Sequence, residues 1–478
     1  MRLSDTEMLL TATIRRYYYV PLILLLIVGS MATGYCVIRW GVKSILGLSA
    51  IAILVISFLS TFHGLLLVLP VQLATLGMTS ELSVAKWLPF FQMVALLGGY
   101  IARRLTQDGK HFRHNLWITK GVAAFGAFLA ISFPVSIILG NDVISWVRDV
   151  SPFANYFLFF PAADTIRTNQ RLKVLLVFVG IFLLWSAISA LLLWGAARGV
   201  LPLGKRYLLI WGTPFAGYIM FLCLFALWLE RGAKFSDFTL LAALNFVFVT
   251  CLMQGTRNIL IGLALSIVVI YCSYAGGRKA MNRQTLKIMV GVLLMGLVFY
   301  QIISTLQSKG IISTSPIIRR FSTLTSPVEL FHRDTSVFGR FAEFQRARDA
   351  LRENLLFGRG LGYWFIGLPE ALQGYHWWRE RAMTPDLSID NGYAYLLVKF
   401  GLVGTSVFVF FFIALLITTY NSLKNQTRWR FLVVTLWTLL ITMPWFMIAS
   451  GPIFRDRVVA YVVAVLSGIV PRLKCGES

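Results

Sequence analysis

Residues 174–194 read VLLVFVGIFLLWSAISALLLW, 21 positions without one charge. A helix of that length crosses the hydrocarbon core of a bilayer, about 30 Å thick. It also satisfies its own backbone hydrogen bonds, as a medium without water demands. Similar runs recur along the chain, such as IMVGVLLMGLVFY at 288–300. Of 478 residues, 58% are hydrophobic and 13% charged, and mean hydropathy is +0.74. A water-soluble chain could not cover that much apolar surface. The expected fold is therefore an all-α polytopic membrane protein of about 12–14 transmembrane helices.

Spans are expected at 17–39, 44–60, 62–78, 86–103, 118–139, 174–198, 207–229, 236–254, 259–277, 288–307, 392–420, 431–450 and 456–470. The first is read as retained rather than as a signal peptide. Its apolar region is long and no small-residue cleavage site follows. The net charge of +24 sits largely in short loops, where it sets orientation and argues against nucleic-acid binding. The five cysteines form no CxxC or Cys/His cluster, so neither a disulfide framework nor a thiolate metal site is expected.

The basic loops at 103–115, 278–287, 421–430 and 471–478 all read as cytoplasmic, with both termini on that side. An even number of crossings must then separate 103–115 from 278–287, and the runs above supply five. The aromatic stretch VSPFANYFLFFPAAD (150–164), followed by Arg167, Arg171 and Lys173, restores parity as a short crossing and gives about fourteen spans. Merging 44–78 into one span gives about twelve, but exports the basic 103–115 loop. The chain thus divides into N-terminal spans (1–307), an extracytoplasmic segment (308–391) and C-terminal spans (392–478). A connection as long as the middle segment is usually functional.

That segment holds ten arginines and a single lysine, Lys309. Arginine suits two-pronged binding of phosphate or carboxylate, although most surface arginines serve only exposed ion pairs. A helix is expected after Thr335 or Ser336, with Phe338, Phe341, Phe344, Ala347 and Leu351 along one side. Gly358, Gly360 and Gly362 are expected to end it in a flexible turn. Arg257 stands between two apolar runs, either as an interfacial anchor or as a functional charge at membrane depth. Asp390 and Asn391 precede the apolar run GYAYLLVKFGLVG at a helix N-terminus, where either can cap.

Three stretches together resemble the bacterial O-antigen ligase and polymerase superfamily. They are QGTRN (254–258), SVFGRFAEFQRARDALRENLLFGRGLGYW (336–364) and DNGYAYLLVKFGLVG (390–404). The resemblance implies a multi-span glycosyltransferase of the bacterial inner membrane, needing no metal or other cofactor. It would use a glycan on undecaprenyl diphosphate as donor and transfer it to a sugar hydroxyl outside that membrane. By position, Arg257 and Arg340 would bind the diphosphate leaving group, and Asp390 would take the proton from the acceptor hydroxyl. Arg333, Arg359, Asn391, His376, Trp377 and Tyr363 would contribute to substrate binding.

Ligases of the family carry His where this chain has Asp390, which favours a polymerase over transfer to lipid A-core. A carboxylate at a helix N-terminus is a weaker base, so His376 or His332 stays open for that role. A chain-length regulator and a flippase of the same pathway would be partners. A flippase or other transporter is the competing reading from another class. The polar weight in one asymmetric loop, without repeated halves, counts against it.

Overall fold

The computed structural model describes residues 42–76, 87–106, 116–197, 214–232, 237–253, 257–275, 335–365, 389, 391–424, 429–449 and 453–473. The spans expected at 17–39 and 288–307 lie outside them. In chain order the helices are α1 (Val42–Leu59), α2 (Thr61–Leu76), α3 (Leu88–Thr106), α4 (Leu116–Ile138), α5 (Val143–Ala154), α6 (Phe159–Thr165) and α7 (Asn169–Ala197). Next come α8 (Pro214–Glu230), α9 (Phe238–Met253), α10 (Arg257–Ala275), α11 (Thr335–Glu353), α12 (Gly392–Lys424), α13 (Arg430–Ala449) and α14 (Arg457–Ile469). Stretches 117–138, 169–189, 392–424 and 430–448 are each long and apolar enough to cross a membrane, and shorter apolar helices pack among them. The chain is an all-α polytopic membrane protein.

Polar contacts sort the helix ends into two groups. At one end Trp429 Nε1 donates to Asn169 Oδ1 at 3.3 Å, and Phe431 N donates to Glu230 Oε2 at 2.6 Å. Arg430 Nη2 donates to Ser273 O at 2.9 Å. These bonds gather the start of α7, the ends of α8 and α10, and the start of α13. Arg104, at the end of α3, pairs there with Asp164 of α6, and Tyr100 donates to the same carboxylate at 2.5 Å. This is the basic end of the bundle.

Residues 143–165 therefore pass from the far end of α4 back to the basic end. The pass is broken, as α5, a 3-10 turn at Asn155–Leu158, and α6. Pro152 and the polar Asn155 interrupt what would otherwise be one helix, and Asn155 Oδ1 is held by Gln72. The short crossing expected at 150–164 falls within this broken element. The alternative that merges 44–78 is overturned, because the chain reverses at Ser60. A Cβ on Gly64 would come within 2.9 Å of Ser57 Cα, an approach that only a sharp hairpin allows. Arg103 closes the hairpin, bonding Phe58 O and, at 2.6 Å, Thr61 Oγ1.

An aromatic core fills the space between α4, α5 and α12. Phe125 stacks on Phe411 at 5.3 Å, and Phe153 meets Phe400 at 5.2 Å and Phe454 at 5.7 Å. Such pairs contribute about 0.5–1.5 kcal/mol each beyond their burial. Gly121 lets α4 approach α12, since a Cβ there would already touch Ala414 at 3.0 Å.

Candidate functional site

Helix α12 is broken at Gly401, which has φ 64° and ψ −171°. The break leaves backbone groups of the adjoining turns without helical partners, at a depth where water cannot satisfy them. Residues 355–359 take their place. Leu402 N donates to Leu355 O at 3.0 Å, Val403 N to Leu356 O at 3.1 Å, and Arg359 N to Val398 O at 2.6 Å. The segment after α11 is thus stitched into the helix break.

The flexible turn expected at Gly358, Gly360 and Gly362 is corrected by this geometry. All three glycines have positive φ, between 68° and 87°, and each lies against a neighbour with no room for a side chain. A Cβ on Gly358 would meet Val398 O at 2.5 Å, and one on Gly362 would meet Trp146 N at 2.8 Å. The glycines are there for close backbone approach. Asn141, in the turn between α4 and α5, adds a bond from its side-chain amide to Arg359 O at 2.7 Å.

Beneath this loop lies a charge cluster that the sequence reading missed. Asp149, wholly buried on α5, accepts from Lys399 Nζ and Arg455 Nη2, both at 2.6 Å. It accepts further from Gly362 N at 2.8 Å and from Tyr395 OH at 3.2 Å. Lys399, equally buried, also donates to Tyr363 O. Buried ion pairs add little net stability, but removing one partner strands the other at a cost of about 3–5 kcal/mol. Asp149 therefore ties together α5, the 358–365 loop, the upper part of α12 and the turn before α14. The available signal was an ionisable residue inside each of two apolar runs, Asp149 and Lys399.

Asn391 is the N-cap of α12, its Oδ1 accepting from Ala394 N at 2.9 Å. The cap sits beside α13: Tyr393 OH donates to Pro444 O at 3.1 Å, and Gly392 packs on Met447. Trp445 Nε1 in turn donates at 3.4 Å to Asn258 O, one residue into α10 from Arg257. The heads of α10 and α12 thus share the end of the bundle opposite the basic one. Helix α11, which carries Arg340 in its second turn, forms where a helix was expected after Thr335 or Ser336 and packs on α12. Ala347 and Ala350 are buried, while Phe344 is exposed.

Arg359 pairs with Glu353 and lays its guanidinium over the Tyr363 ring, 5.0 Å from the centroid. The Tyr363 face expected to meet substrate is therefore covered by a cation. Asp142 caps α5, accepting from Ser145 N at 2.9 Å. Burial works against its charge, but hydrogen bonds from Ser145, Trp364 and Ile144 outweigh that and hold the carboxyl below its usual range. Asp390, Arg333, His376 and Trp377 lie outside the described residues, as do the side chains of Arg257 and Arg340. Among the described residues, no three His, Cys, Asp or Glu side chains gather as a metal-ligand set.

Residues 240–409 match the family model described as O-antigen ligase. The match supports the O-antigen ligase and polymerase superfamily, and an activity of that general type. It covers α10, α11, the stitched loop and the break in α12, whereas Asp149 and Arg455 fall outside it. No curated protein matches the chain.

Proposed function

We propose that the chain polymerises undecaprenyl-diphosphate-linked oligosaccharide units into a surface polysaccharide, on the outer face of the bacterial inner membrane. The observation that carries this reading is the overlap of the family match with one built site. Within 240–409 stand the head of α10, the capped head of α12 and a loop stitched into the membrane by the break at Gly401.

In this scheme the acceptor hydroxyl oxygen attacks the anomeric carbon of the donor glycan as the carbon–oxygen bond to the diphosphate breaks. Asp390, the residue before the Asn391 cap, takes the hydroxyl proton. Arg257 and Arg340 hold the diphosphate as its charge grows, a role in which two guanidiniums can replace a divalent ion. Asn391 contributes through its cap, which fixes the position of the base. The large loop is extracytoplasmic and both termini are cytoplasmic. A flippase and a chain-length regulator are the expected partners.

The test is to incubate detergent-purified protein with one synthetic undecaprenyl-diphosphate oligosaccharide and resolve the products by size. A ladder of multiples supports polymerisation. Transfer only to an added lipid A-core acceptor would make the enzyme a ligase. Intact substrate in both assays would move the weight to a flippase.

A further inference from the structure

The first part of α12, residues 392–400, has a different environment on each side. Tyr393 and Tyr395 are two residues apart, hence about 200° apart around a helix. Tyr393 reaches Pro444, on the side of α13 and the head of α10. Tyr395 reaches Asp149, on the side of α5 and the turn before α14. The Asn391 cap stands at the top of this wall.

On the Tyr395 side three arginines converge. Arg148, exposed on α5, lies over the Trp364 ring at 5.6 Å from its centroid. Arg455 binds Asp149 and lies over the Tyr395 ring at 4.9 Å. Arg457, the first residue of α14, is half-buried and within electrostatic range of both. Two carboxylates stand among them, and both are engaged. Asp149 is saturated by its four donors, and Asp456 caps α14 by accepting from Val458 N and Val459 N at 2.9 and 3.0 Å. Asp456 partly offsets the charge of its neighbour Arg457, and among the described residues no carboxylate forms an ion pair with Arg148. Like charges held this close at a helix N-terminus repel one another, and a bound anion relieves the repulsion. Three guanidiniums match the several oxygens of a phosphate or diphosphate.

We propose that Arg148, Arg455 and Arg457 form a second anion site that takes the diphosphate headgroup of the acceptor lipid. It stands across the upper α12 wall from the head of α10, where Arg257 would hold the donor. The assignment to an acceptor rests on the polymerase reading, in which both substrates are lipid-diphosphate-linked. The site would explain how two like headgroups are held apart with the Asn391 end of the helix between them.

The test counts bound undecaprenyl diphosphate, without sugar, on the full chain in detergent by native mass spectrometry. Two molecules per wild-type chain are expected. Arg148→Gln/Arg457→Gln should retain one, with binding at the other site weakened about ten- to a hundredfold per lost contact. Arg148→Lys/Arg457→Lys should keep a weakened second site. Arg257→Gln should lose the other molecule instead.

A single molecule on the wild type, or two on the double Gln variant at unchanged affinity, overturns the proposal. The wild-type count decides even if a variant fails to fold. Competition separates the sources of the anion. Displacement by inorganic pyrophosphate and not by phosphatidylglycerol supports a diphosphate site, whereas equal displacement by phosphatidylglycerol reduces it to a general headgroup contact and refutes the acceptor assignment. Binding is read here without turnover, so a missing polymer ladder and a missing second site are separate failures.

Discussion

Replacing Asp149 by Asn removes one negative charge at nearly constant shape, and the surrounding geometry sets the outcome. Lys399 has 0% side-chain exposure and loses the Asp149 carboxylate, while Arg455, at 16%, still reaches the surface. The stranded lysine is then the main source of damage, at about 3–5 kcal/mol. The strain falls on the 358–365 loop, because Gly362 N loses its charged acceptor and Tyr363 O shares the same lysine. Opening of the loop should become about a hundred- to several thousandfold more frequent, at about 1.4 kcal/mol per factor of ten.

Trypsin cleavage after Arg359, followed by fragment mass on detergent-purified protein, reads that opening directly. In the wild type the Arg359 backbone is bonded to Val398 O and to Asn141, so the site should be protected. Asp149→Asn should expose it. Asp149→Asn/Lys399→Met should recover most of the protection, since an apolar replacement for a buried pair is close to neutral. Unchanged protection in Asp149→Asn, or a double variant worse than the single, would refute the idea that this carboxylate anchors the loop through Lys399.

Gly401→Ala should also release the loop, because a Cβ there collides with the backbone of residues 356–358 and the φ of 64° adds strain of about 1–3 kcal/mol; the same cleavage assay reads it. Asn391→Ala should cost about 1 kcal/mol of helix stability through the lost cap, with Asn391→Ser restoring both stability and polymer formation. If the serine variant melts like wild type yet makes no polymer, Asn391 has a role beyond capping. Asp390→Asn should abolish ladder formation, and Arg257→Lys should slow it about 10²–10³-fold. Full turnover by Asp390→Asn would move the base to His376 or His332.

The long spans were readable because each is an apolar run of membrane length. The broken pass at 143–165 was only partly legible: its aromatic stretch 150–164 suggested a short crossing, but Pro152 and Asn155 interrupt the apolar run and hide its start. The Asn391 cap was legible because its partner, Ala394, is three residues away. The Asp149 cluster was not, because Lys399 and Arg455 lie 250 and 306 residues along the chain, and no local pattern joins them. Gly358, Gly360 and Gly362 misled for the same reason. What constrains them is distant in sequence, the backbone of α12 for Gly358 and residues 136–146 for Gly360 and Gly362, so they looked like a simple stop signal.

The reach of Asp149 also bears on how the protein is made. Its acceptor sites are filled from residues 362, 395, 399 and 455, each synthesised long after it. A nascent chain therefore holds an incompletely paired carboxylate within a broken pass until the turn before α14 has arrived. Docking of the loop and neutralisation of that charge then complete together, as a late and cooperative step. A ribosome that stops before residue 455 leaves a chain whose helices are inserted but whose loop lacks part of its anchor, which gives membrane proteases a means to tell finished molecules from unfinished ones.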